Sequence, residues 1–184
     1  MFRPNFSLLT FVFLVAAIAA GPSSPGPHPP APGPCSACPA AAAWSVYFSP
    51  AGGCTEAVVR EIAAAKKTIL VQAYNFSSPP IAAALLAAHR RGVDVQVIED
   101  KRASGEKKCQ VPVLRKAGIK VLLDGVHPIA HNKVMVIDAA TVLTGSFNWS
   151  TEAERNAENL LVIRDAALAA KYAANWQAHA AHSK

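Results

Sequence analysis

From Trp44 onward, short apolar runs of strand character alternate with longer stretches of helical spacing, and this alternation points to a sheet covered by helices. Strands are expected over 45–48, 68–74, 94–99, 120–123, 133–137, 141–144 and 159–163, and helices over 55–67, 80–91, 104–116 and 166–182. Several of the helices begin after Ser, Thr or Asp, and two end near Gly92 and Gly118, the residues that start and stop helices. After Leu123 the rhythm changes. The runs 133–137 and 141–144 are only a few residues apart, too close for a crossover helix, so they suit a β-hairpin and make the sheet mixed. The expected fold class is α/β, a mixed β-sheet flanked by α-helices, with no internal repeat.

The first forty residues do not share this pattern. Residues 1–20 carry one charge, Arg3, ahead of an apolar run that is short for a bilayer-spanning helix and ends in the small-x-small triplet Ala17-Ile18-Ala19. They read as a signal peptide, which makes the protein exported, periplasmic or secreted; the alternative is an N-terminal membrane anchor. Residues 21–40 are crowded with proline, whose fixed φ and missing N–H exclude helix and central strand, so they read as an extended linker. The remainder, 41–184, is close to the usual size of one domain. Cys35 and Cys38 fall in the linker, Cys54 and Cys109 in the domain; export permits two disulfides, with the pairing open, and one C-x-x-C with two scattered partners is weak support for a zinc site. The formal net charge of +6 excludes an acidic disordered tail and favours a polyanionic partner, nucleic acid or an anionic lipid surface.

Polar residues break into apolar strands at the hairpin. His131 and Lys133 precede its first strand, and Gly145, Ser146 and Asn148 close its second. Alternation puts His131 and Lys133 on one face, and likewise Ser146 and Asn148. A turn centred on Ala139-Ala140 would set Lys133 opposite Ser146 and His131 opposite Asn148, so all four would converge. An imidazole, an ammonium, a hydroxyl and a carboxamide together supply many donors and almost no negative charge, which suits gripping a phosphate and attacking its phosphorus rather than holding a metal. Asp138 has the wrong parity to join them; its alternatives are turn formation and support from behind the site. His127, just before the cluster, reads as a plain loop residue. Trp149 and Trp176 read as packing residues.

The spacing His131-x-Lys133-x4-Asp138-x6-Gly145-Ser146-x-Asn148 resembles the HKD motif of the phospholipase D superfamily. Tyr74-Asn75-Phe76-Ser77, Arg90-Arg91-Gly92-Val93 and Glu158-Asn159 extend the resemblance to the small bacterial Nuc-type endonucleases. It implies a single-motif phosphodiesterase needing no cofactor, with His131, Lys133, Asp138 and Glu158 as catalytic residues, Lys133, Ser146 and Asn148 on the phosphate, Gly145 structural in the motif, and Glu158 orienting the histidine.

Metal-free displacement at a phosphodiester needs a nucleophile on one side of phosphorus and an acid on the other, and one histidine cannot be both at once. A homodimer in which each subunit lends His131 to one composite site is the economical solution, as the resemblance also implies. The leading expectation is an endonuclease acting on DNA, and on RNA as a further substrate. The alternative is a phospholipase D acting on phospholipid headgroups, because the motif does not distinguish the alcohols. A non-catalytic nucleic-acid binder is the third reading.

Overall fold

The computed structural model describes residues 43–184; the expected signal segment, the linker, Cys35 and Cys38 lie outside them. Seven strands form one mixed sheet: β1 Ala43–Ser49, β2 Thr68–Ala73, β3 Asp94–Asp100, β4 Lys120–Asp124, β5 Val134–Ile137, β6 Thr141–Gly145 and β7 Glu158–Arg164, in the order β1-β7-β6-β5-β2-β3-β4. Strands β2, β3 and β4 are parallel, and every other pairing is antiparallel. Among the described residues the α-helices are α1 Cys54–Ala64, α2 Pro79–Arg90, α3 Val111–Lys116 and α4 Ala166–His182. Among the described residues no helix is long and apolar enough to cross a membrane.

The sheet has a different core on each face. On one face Ile69, Val71, Met135, Ile137 and Leu143 pack with Val58 and Ile62 of α1 and Ile81 and Leu85 of α2. On the other, Val134, Val136 and Val142 meet Ala169, Leu168 and Tyr172 of α4. Helix α2 starts with Pro79 and Pro80, tolerated in the first turn because their missing N–H groups would be unpaired there anyway. Helix α4 starts at Asp165, whose carboxylate accepts the Leu168 N–H at 3.0 Å. The buried indoles of Trp149 and Trp176 donate to the β2 carbonyls of Gln72 (3.1 Å) and Val71 (2.9 Å), so both tryptophans tie outer segments to this interior strand.

Two local expectations are corrected. The helix expected over 104–116 is a single 3-10 turn, Ala103–Gly105, followed by the short α3. Pro112 cannot sit inside a helix and instead falls in the first turn of α3, and the Gln110 N–H leaves for the Phe76 carbonyl at 2.8 Å. The hairpin register is also one residue from that expected: Val134 faces Thr144 and Ile137 faces Thr141. The loop is the three residues Asp138, Ala139 and Ala140, with Asp138 at φ 52° and Ala139 at φ 53°, and the Ala140 N–H closes onto the Ile137 carbonyl at 3.0 Å. These two left-handed residues give the backbone of a primed turn, which the Ala-Ala pair did not suggest.

Candidate active site

With β5 antiparallel to β2, the start of β5, the end of β6 and the start of β7 share one edge of the sheet with the C-terminal ends of β2, β3 and β4. There His131, Lys133, Gly145, Ser146, Asn148 and Glu158 line a cleft of about 330 Å³. The expected convergence is present, though not through the expected pairing. Continued past Val134, the observed ladder would set Lys133 opposite Gly145 rather than Ser146.

The ladder stops at Gly145. The N–H groups of Ser146 and Phe147 both donate to the Asn159 carbonyl, each at 3.1 Å, so two residues face one and form a β-bulge. Gly145 makes the bulge possible: its φ is 154°, and a Cβ there would lie 2.2 Å from the Asn159 carbonyl oxygen. Beyond it Phe147 and Trp149 are fully buried, while Ser146 and Asn148 reach the cleft. The Ser146 hydroxyl accepts the Asn159 N–H at 3.0 Å, which leaves its own proton free to donate. The Asn148 Oδ1 is buried without a partner among the described residues.

Lys133 is 6% exposed, and its ammonium donates to the His131 carbonyl at 2.7 Å and stands 5.3 Å from the centre of the Tyr74 ring. Burial pushes it down to about 8, against the opposing pull of the Glu158 carboxylate. It is thus charged at neutral pH. Burial, and then the Lys133 ammonium, hold His131 below the ordinary imidazole value, with Asp100 opposing, so the neutral nucleophilic form is favoured. Among the described residues no hydrogen bond reaches the His131 ring, which stacks at a tilt on Tyr74 with 4.6 Å between centroids. Glu158 lines the same cleft, its Oε1 accepting from Asn156 Nδ2 at 3.2 Å.

Asp138, expected among the catalytic residues, is not brought to the cleft. It stands at the opposite end of β5, where its carboxylate accepts the backbone N–H groups of Lys66 (2.8 Å), Lys67 (2.7 Å) and Thr68 (2.9 Å). Of its two alternatives the geometry selects the turn: Asp138 seals the hairpin onto the entry to β2.

Two further residues have a positioning role: Asp100, which was not singled out in the sequence, and Tyr74, which entered only within the resembling segment Tyr74-Asn75-Phe76-Ser77. Buried Asp100, at the end of β3, accepts the Ala130 N–H at 2.9 Å and so fixes the chain one residue before His131. Its other oxygen accepts the Arg102 and Ala103 N–H groups, both at 2.9 Å. Tyr74 walls the histidine. Its signal in the sequence was its place at the end of the apolar run 68–74, and in the structure the left-handed Asn75 follows it.

Comparison with known proteins agrees with this geometry. The family model of the cardiolipin synthase, PLD-like domain matches residues 58–180. A phospholipase D of Rickettsia bellii is 44% identical over 133 residues, 72% of this chain and 66% of that protein, so the chain spans just under two thirds of that relative. The mitochondrial cardiolipin hydrolase of Xenopus laevis is 37% identical over 113 residues, 61% of this chain and 54% of that protein. Among solved structures, Nuc from Salmonella typhimurium, a phospholipase D family member, superposes with a TM-score of 0.74 at 34% identity, covering 78% of this chain and 97% of that one. NucT from Helicobacter pylori gives 0.72 at 26% identity, covering 77% and 98%. The matched family model, the matched sequence and the superposed fold together place this chain in the phospholipase D superfamily, with a Nuc-like fold.

Proposed function

We propose that the protein is a metal-independent endonuclease that cleaves DNA, and RNA by the same chemistry, in a composite site formed by two copies of the chain. The observation that carries this reading is the content of the cleft, where one imidazole stands with an ammonium, a hydroxyl and a carboxamide. Neutral His131 attacks phosphorus, and an N–P bond forms as the P–O bond to the leaving alcohol breaks. The partner subunit's His131, protonated, gives its proton to that oxygen. The same partner imidazole then takes a proton from water, whose oxygen attacks phosphorus, and the new P–O bond forms as the N–P bond breaks and His131 leaves as free imidazole. Lys133 and Asn148 hold the non-bridging oxygens, and Glu158 supports the imidazole.

Exposed Lys101, Arg102, Lys107 and Arg155 stand in loops at this edge of the sheet, and none is in an ion pair among the described residues. Such a rim favours a long polyanion, which contacts many phosphates at once. A phospholipid substrate is favoured by a different observation: Val126 and Ile129, 64% and 54% exposed, lie in the loop that leads into His131. The relatives named phospholipase D and cardiolipin hydrolase support that second reading.

Purified protein in excess chelator, with its fold followed by circular dichroism, is offered supercoiled plasmid, single-stranded RNA and vesicles of phosphatidylcholine or cardiolipin. The nuclease reading expects plasmid nicking while the fold persists. His131→Ala should lower turnover by at least about a thousandfold and leave DNA binding measurable. Headgroup or phosphatidate release without plasmid cleavage would establish the lipase instead, and cleavage that returns only with added metal, the fold being intact throughout, would overturn the chemistry.

A further inference from the structure

On the far side of the loop leading to His131, four side chains outside the cleft point at one spot. Asp124 ends β4 with its side chain fully buried. Its Oδ2 is approached by His127 Nδ1 at 2.9 Å, His179 Nδ1 at 2.8 Å and His182 Nε2 at 3.3 Å. One atom from each of the four residues lies within 4.8 Å of the other three. The rings come from separate pieces of the fold, His127 from the loop after β4 and His179 and His182 from the last turn of α4.

We propose that Asp124, His127, His179 and His182 form a structural zinc site. Hydrogen bonding alone is a poor account of the cluster, since each of three imidazoles would have to place an N–H on the same carboxylate oxygen. A divalent ion among them uses every ring through a lone pair instead, and the single carboxylate offsets part of its charge. Tetrahedral zinc takes imidazole nitrogen and carboxylate oxygen at about 2.0–2.2 Å, which sets ligand atoms roughly 3.4 Å apart; the Asp124–imidazole separations of 2.8–3.3 Å would open slightly, and all the ligand atoms already lie within 4.8 Å of one another. Asp124 is already oriented for the task, because its Oδ1 accepts the Val126 N–H at 3.1 Å. The imidazole side chains are 41%, 15% and 33% exposed for His127, His179 and His182, so an ion can enter from solvent.

Four protein ligands leave no open coordination position, which makes the site structural rather than catalytic. The ion would clip the end of α4 to the sheet edge, where Leu123 already exchanges backbone hydrogen bonds with Lys184, and would anchor one end of the loop whose other end Asp100 holds at Ala130. The proposal is independent of the substrate and leaves the chemistry at His131 metal-free.

The test uses the full chain without a histidine tag, stripped by chelator and titrated with zinc chloride, with metal content after gel filtration and thermal melting as readouts. One zinc per chain is expected, with a rise in melting temperature on binding, and cobalt in its place should give the visible spectrum of a tetrahedral nitrogen- and oxygen-ligated ion. The double variant His127→Gln, His182→Gln should bind at least about 100-fold more weakly and lose the thermal shift. His131→Ala should bind zinc as the wild type does. Absence of stoichiometric zinc and of a thermal shift in the wild type overturns the site, as does binding that survives the double variant or vanishes with His131→Ala. Should the double variant fail to fold, the wild-type stoichiometry and the cobalt spectrum decide alone.

Discussion

Glu99 is a carboxylic acid with little to receive its charge: it is fully buried, Oε1 accepts the Phe76 N–H at 3.2 Å, and Oε2 has no partner among the described residues. Burial raises it to about 7, with the Phe76 hydrogen bond opposing and Asp100 adding to the rise. Its folded value therefore lies above its unfolded one, so the folded state binds the extra proton. The stability tied to that proton is fully present below about pH 4.5, is lost as pH rises through about 7, and stays lost above it. Glu99→Gln removes this dependence. Its stability relative to wild type should rise as pH climbs from about 4.5 to about 7 and level off above, reaching about 3 kcal/mol at pH 8. A difference that does not change across a pH series of melts would show that Glu99 holds no such proton. Legibility at this scale follows the range of each interaction. His131, Lys133, Ser146 and Asn148 were readable because their types and spacing fit one chemistry. Asp100 was not, because its meaning lies in a bond to Ala130, thirty residues away in sequence.

Among the elements, strands were legible and their junctions were not. Short apolar runs placed all seven strands, but the exact register of β5 and β6 depended on a turn with two left-handed residues, one of them an alanine, which local preference argues against. Helix α1 stops at Ala64, short of its expected end, because the carboxylate of Asp138 takes the N–H groups of Lys66, Lys67 and Thr68 from across the fold. The bulge after Gly145 sets the course of the chain that carries Ser146 and Asn148 to the cleft. Gly145→Ala tests that assignment, since it forces a methyl group onto the Asn159 carbonyl. We expect a loss of at least about 2 kcal/mol in denaturant unfolding and a fall in turnover, because Ser146 and Asn148 follow directly. Gly105→Ala is the matched control: nothing lies within 4 Å of its added carbon, and its stability should stay within about 0.5 kcal/mol of wild type. Equal behaviour of the two variants would remove the bulge from the explanation of the site.

For the molecule as a whole, the cleft supplies one histidine where the proposed reaction uses two, and one edge of the sheet leaves apolar surface for a second copy. Trp44, Val46 and Phe48 alternate along edge strand β1 at 66%, 38% and 60% exposure, on the α4 side of the sheet but outside the cluster that α4 covers. That strip runs up to the cleft, because Ser49 pairs with Glu158 and Phe48 with Asn159. An exposed apolar strip on an edge strand invites association, and a two-fold pairing beside the cleft would bring two copies of His131 together. Mixing wild type with His131→Ala under conditions of subunit exchange separates this arrangement from a self-sufficient monomer. If each site needs both histidines, only pure wild-type dimers turn over, so activity at constant total protein should follow the square of the wild-type fraction and fall to about a quarter in an equal mixture. A monomer would follow the fraction itself and retain half. Charged residues at the strip, as in Phe48→Glu, should weaken association without touching the cleft residues, so that activity per chain falls on dilution and recovers at high concentration. A linear mixing curve together with dilution-independent activity of Phe48→Glu would mean that each chain carries its own acid, and the proton donor would then have to be found among groups the single cleft already holds.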